Sequence, residues 1–152
     1  MSPEVREETA KQIYQGALDR IGKAYFDNDF AAFQAEVYVP HHYTTQEGTE
    51  HVIANYAQLR EAFDCFRDYF IGLGVTDFVR TCTGAMYLSE TKIIGGHDTE
   101  VLQSGTRIRD PYSVMSIMEL IDGVWQVCSS ENALPDNSWQ VMSFRHGAEK
   151  LN

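Results

Sequence analysis

The chain has 152 residues, of which 43% are hydrophobic and 12% aromatic, enough for one domain with a sizeable core. Its net charge of -10 argues against nucleic acid and against an anionic membrane surface as partners, since both would repel it. No run of about 18 apolar residues is present, so no helical membrane span is expected.

The N-terminus, Met1-Ser2-Pro3-Glu4, lacks the charged-then-apolar pattern of a secretory leader. Cys65, Cys82 and Cys128 are far apart and odd in number, which reads as reduced, buried thiols of a cytoplasmic protein. The five histidines show no ligand spacing, so no metal is expected. Nothing in the chain implies a nucleotide or flavin, and no cofactor is expected.

The first half reads as helical. Ser2 can cap a helix that has Pro3 at its first position and Glu4 in its first turn. Val5, Ile13, Ala17, Ile21 and Tyr25 follow at helical spacing. Asp27-Asn28-Asp29 breaks this helix. Phe30, Phe33 and Val37 continue as a short second one, which Pro40 is expected to end. Tyr43 to Gln46 and His51 to Ala54 flank Glu47-Gly48, a hairpin turn. Asn55 caps a third helix, along which Tyr56, Leu59, Phe63, Phe66, Phe70 and Leu73 form one apolar stripe. Gly72 and Gly74 close it.

From Thr76 onward the pattern becomes long strands, over about 76–88, 91–104, 112–121 and 124–132. Ser89-Glu90 and Asp122-Gly123 supply the turns, Asp-Gly being a strong hairpin signal. Helices first and a strand meander second predict an α+β domain, with three N-terminal helices on one face of a curled antiparallel sheet. Gly84, Gly95 and Gly96 lie inside strands and are placed to curl it into a cone, a common site for a ligand pocket. The domain is expected over residues 1–135. The tail, 136–152, carries the apolar anchors Trp139, Val141 and Phe144 and is read as a lid or an oligomer contact.

Three segments carry a resemblance: Tyr25-Phe26-Asp27-Asn28-Asp29-Phe30, then His42-Tyr43, then Ile94-Gly95-Gly96-His97 with Ile121-Asp122-Gly123-Val124-Trp125. With the order of elements, they make the chain resemble the nuclear transport factor 2-like superfamily, a cystatin-like fold. Within it the chain looks most like the SnoaL-like and scytalone dehydratase-like group. The resemblance implies that His97 matches the catalytic histidine and Tyr43 a tyrosine that holds water. It implies that Asp27, with Tyr25, matches an acid–tyrosine pair at the pocket edge. The chain departs from scytalone dehydratase where that enzyme has a second pocket histidine; here the stretch is Arg109-Asp110-Pro111-Tyr112.

The residues also speak for themselves. On a strand, His97 points with Thr99 and Val101, whereas Asp98 points with the charged Glu100 toward water. His97 is therefore the candidate proton carrier facing the cone, or else a core histidine bonded to a neighbouring strand. His41 and His42 face opposite sides, and one of them could reach the pocket. Tyr43 and Tyr25 offer hydroxyls, with Tyr14 as an alternate on the first helix. Catalytic candidates are thus His97, Tyr43, Tyr25 and Asp27; substrate-binding candidates are Tyr14, His42, Phe63, Phe66, Val101 and Trp125. The leading expectation is a cofactor-independent lyase, isomerase or cyclase acting beside a carbonyl of a largely apolar small molecule. A non-catalytic binding or oligomerisation module of the same fold stands beside it, as does a small subunit of an oxygenase. A homodimer or homotrimer packed through the outer sheet faces is expected.

Overall fold

The computed structural model of the protein describes residues 2–136, Ser138 and Val141. Helix α1 runs Pro3–Asp27, and Ser2 caps it by accepting from the Val5 amide at 3.3 Å. Asn28 ends it in the left-handed region, at φ 54. Asp29 then caps α2, Phe30–Glu36, so one short polar run serves as both stop and start. Strands β1, Val37–Thr44, and β2, Glu50–Ile53, form a hairpin whose loop needs Gly48 at φ 83. Asn55 caps α3, Tyr56–Gly72, by accepting from the Gln58 amide at 2.9 Å. Then come β3, Asp77–Ser89; β4, Lys92–Gln103; β5, Thr106–Arg107; β6, Tyr112–Ile121; and β7, Val124–Asn132. Asp122 and Gly123 both have positive φ, as the tight turn between β6 and β7 requires.

The sheet order is β2-β1-β7-β6-β4-β3, with β5 pairing β4 at its end. The four long strands form the expected meander. Two expectations are corrected. The sheet is mixed rather than wholly antiparallel, because β1 joins β7 in parallel. Pro40 does not end the helical segment; it lies inside β1, which begins directly after α2. The β1–β7 register shifts between Val37 and His42, and a residue with no amide proton is tolerated where the ladder is interrupted.

The helices lie across the inner face of the curled sheet. Leu59, Phe63, Phe66 and Phe70 of α3 are buried with Ile21 and Tyr25 of α1 and Phe33 of α2. Each such side chain contributes roughly 1.5–3 kcal/mol by leaving water. The ends of the predicted α3 stripe, Tyr56 and Leu73, stay exposed. A second cluster lays Ala10, Tyr14, Ala17 and Leu18 of α1 on Ala85, Ile93 and Met118. The β3–β4 register slips between Cys82 and Gly84, beside the Gly84–Gly96 pair, so two of the three strand glycines do sit at a bulge. A third cluster holds Tyr43, Val101, Tyr112, Val114, Leu134 and Val141. Val141, one of the tail's three apolar anchors, is thus buried on its own domain; Trp139 and Phe144 lie outside the described residues.

Candidate functional site

The inner face of the sheet and the three helices enclose a cavity of about 110 Å³. For scale, an apolar cavity of about 150 Å³ takes one benzene ring. Apolar side chains such as Leu18, Ile21, Leu59, Phe66 and Val127 form most of its wall. The polar groups on it are His41, His97, Arg80, three tyrosines and a few small hydroxyl and amide side chains.

His97 reaches this wall because β4 alternates. Ile93, Gly95, His97, Thr99 and Val101 are buried, whereas Asp98 is exposed and accepts from Ser113 at 2.7 Å. Glu100 pairs with Arg107 at 2.5 Å. The sequence-based assignment of faces therefore holds. His97 is 4% exposed, and its Nδ1 lies 2.7 Å from the Tyr14 hydroxyl. The Ser116 side chain of β6 lines the cavity as well. Among the described residues nothing else bonds the imidazole, which leaves Nε2 toward the cavity.

Tyr14 arrives from α1 and lies flat on the sheet at Gly95. A Cβ on that residue would stand 2.4 Å from the Tyr14 ring, so only glycine admits the ring there. Gly95 pairs with Ser116 of β6. Burial pushes the Tyr14 phenol up to about 12, keeping its proton. Burial, with the nearby Arg80 charge, pulls His97 down from 6.5 to about 3, so the imidazole is neutral. A phenol accepts as readily as it donates. With the imidazole proton on Nδ1, His97 donates to Tyr14 and Nε2 offers the cavity a lone pair. With the proton on Nε2, Tyr14 donates to Nδ1 and the cavity is offered a donor.

The other sequence candidates divide. Tyr43 and Tyr25 are buried and line the cavity. Burial raises both phenols. Tyr25 is packed in an aromatic cluster, stacked on Phe63 at 5.1 Å. Phe66 lines the cavity, whereas Phe63 is fully buried core behind it. Val101 is buried in the third cluster and does not line the cavity. Tyr14 stands behind His97 and touches it, but is not on the wall.

Three further candidates lie away from the cavity altogether. Asp27 is exposed at the end of α1, ion-paired with Lys23 one turn earlier. His42 is exposed and meets Glu50 at 2.8 Å; strand alternation turns His41 inward instead. His41 is 5% exposed, lies 3.2 Å from the Ser130 hydroxyl through Nε2, and is pulled down to about 4 by burial. Trp125 sits near the β6–β7 turn, in an outer groove with Ile13, Arg20 and Glu36.

Sequence reasoning passed over Arg80. It lies on β3 between Phe78 and Cys82, two residues from each, so all three share a face. The signal was an arginine in an otherwise apolar alternation. Its guanidinium donates to the Leu18 carbonyl at 2.6 Å and lies over the Phe78 ring at 4.7 Å.

No protein-family model matches the sequence, and no curated protein matches it. Solved structures do. A Mycobacterium tuberculosis protein of unknown function is 14% identical with TM-score 0.66, over 99% of this chain and 95% of that one. A nuclear transport factor 2-like protein from Shewanella oneidensis is 13% identical with TM-score 0.60, over 80% and 97%. The hexachlorocyclohexane dehydrochlorinase LinA-type3 of Novosphingobium barchaimii is 13% identical with TM-score 0.54, over 82% and 85%. At these identities the likeness establishes the fold: the chain has the nuclear transport factor 2-like, cystatin-like fold.

Proposed function

We propose that this protein is a cofactor-independent acid–base enzyme, a lyase, isomerase or cyclase of the SnoaL-like and scytalone dehydratase-like kind. Its substrate is a small, largely apolar molecule that loses or moves a proton beside a carbonyl. The observation that carries this reading is the buried Tyr14–His97 hydrogen bond at 2.7 Å with Nε2 left toward the cavity. Such an arrangement orients an imidazole for proton transfer in the absence of bulk water. Nε2 takes the proton from carbon while Nδ1–H donates to the Tyr14 oxygen. Burial and Arg80 disfavour the imidazolium, so it returns the proton readily and is a weak base until a bound anion offsets the Arg80 charge. The dehydrochlorinase of the same fold shows that this architecture supports an elimination in another protein.

The test is hydrogen–deuterium exchange at carbon in a panel of small carbonyl compounds, followed by NMR in heavy water. Proton transfer by a positioned side chain is worth roughly 100-fold to 10,000-fold. His97→Gln should therefore slow exchange at least about 100-fold while the fold is retained. Exchange unchanged in the variant, or none above background with any compound, would remove His97 from the chemistry and leave a binding module.

A further inference from the structure

We infer that the cavity takes a carboxylate, held by Arg80 with Thr99 beside it, so the substrate is a small apolar acid rather than a neutral molecule. This rests on the reading of the cone as a small-molecule pocket and adds the class of ligand to it.

Arg80 is the one lining residue with a permanent charge, and no aspartate or glutamate lines the cavity among the described residues. Nor does any described carboxylate form an ion pair with Arg80. Asp19, which acts on it only at longer range, is exposed on α1 and accepts from Gln15 at 2.9 Å. The protein thus carries an excess of acids overall and, on its cavity wall, a half-buried cation that also borders an outer groove with Asp19 and Asp77. A guanidinium partly withdrawn from water without an ion-pair partner is destabilised, and an anion supplied by a ligand offsets part of that cost. One Leu18 carbonyl occupies only part of its donor fork.

The register shows a built row. Arg80 of β3 pairs with Thr99 of β4, and Thr99 pairs with Tyr112 of β6. All three side chains line the cavity. The Thr99 hydroxyl is buried, with no hydrogen-bond partner among the described residues. Such a group asks for an acceptor, and a carboxylate oxygen can serve both it and Arg80. Along β4 the next inward residue is His97, two positions away, roughly 6.6 Å along the strand. A carboxylate seated on the Arg80–Thr99 row would place a carbon one or two bonds away near Nε2. Loss of a proton from that carbon generates negative charge on an oxygen facing the same guanidinium.

The experiment is titration calorimetry at pH 7 with benzoate and hexanoate against their isosteric amides, benzamide and hexanamide. A charged hydrogen-bonded contact predicts that each acid binds roughly tenfold tighter than its amide, or better. Arg80→Gln should abolish the preference, Arg80→Lys should keep part of it, and His97→Gln should leave it in place. Equal affinity of acids and amides for the wild-type protein, or acid binding undiminished in Arg80→Gln, would overturn the anchor and leave the pocket standing. Binding of neither acid nor amide would overturn the pocket reading and the anchor with it. The wild-type comparison decides even if the Arg80 variants fail to fold.

Discussion

At the scale of single residues, the site turns on one phenol. Tyr14 lies behind the cavity wall, so it acts through His97 as a positioning residue. Tyr14→Phe keeps the ring on Gly95 but strips the hydrogen bond from His97 Nδ1. A hydrogen bond to a group that becomes charged is worth roughly 1.5–3 kcal/mol, so turnover should fall roughly tenfold or more. A purely structural tyrosine would also lower stability. The discriminating measurement is the nitrogen-15 shift of the His97 imidazole, which reports the tautomer. It should change in Tyr14→Phe; an unchanged tautomer alongside lost activity would make Tyr14 mere packing. His97 and its face were legible because strand alternation separates it from Asp98 and Glu100. Asp27 and His42 were drawn in by motif resemblance, although both have surface partners, Lys23 one turn earlier and Glu50 on the neighbouring strand. Arg80 went unread because a lone arginine in a strand is ordinarily a solvent-facing residue.

At the scale of elements, what was legible is what local chemistry decides. Ser2, Asn28, Asp29 and Asn55 start and stop the helices, and Asp122-Gly123 turns the sheet. The parallel seam between β1 and β7 was not legible, because strands that meet across some ninety residues need no turn signal between them. Nor was the contact of α1 with β4, which depends on a residue with no side chain. There the structure makes a sharp prediction. In Gly95→Ala the new methyl group would stand 2.4 Å from the Tyr14 ring, so the ring must lift and carry its hydroxyl away from His97. Overpacking of this kind costs roughly 1–3 kcal/mol. Gly96, its neighbour on the opposite face, meets only the Thr83 hydroxyl at 3.4 Å and a more distant carbonyl, so Gly96→Ala should cost far less. Urea unfolding of the two variants checks this. Equal losses would mean that the site responds to sheet flexibility and not to the ring.

At the scale of the whole molecule, the fold sets a largely apolar cone inside a strongly acidic chain, and the two environments treat histidine differently. His41 and His97 line the cone, and burial holds them at about 4 and about 3 respectively. The groups facing His97 are the Tyr14 phenol and the Arg80 guanidinium, and no carboxylate on the described cavity wall could stabilise its charged form. In the unfolded chain both histidines return to about 6.5. Folded values below unfolded ones mean that the unfolded state binds protons first. Stability therefore falls as pH drops below about 6.5, and for these two groups the loss continues until pH nears their folded values. Each contributes a slope of roughly 1.4 kcal/mol per pH unit in the middle of that window. Together they remove roughly 4 kcal/mol between about pH 7 and pH 5, a large share of the stability of about 5–15 kcal/mol usual for a domain. Unfolding by urea at pH 7, 6 and 5 should show this decline in the wild-type protein. His97→Gln and His41→Gln should each flatten it by about half of the histidine contribution, and the double variant should flatten it further. A decline identical in all four proteins would show that the cone admits protons, and with them enough water to charge both histidines at neutral cost.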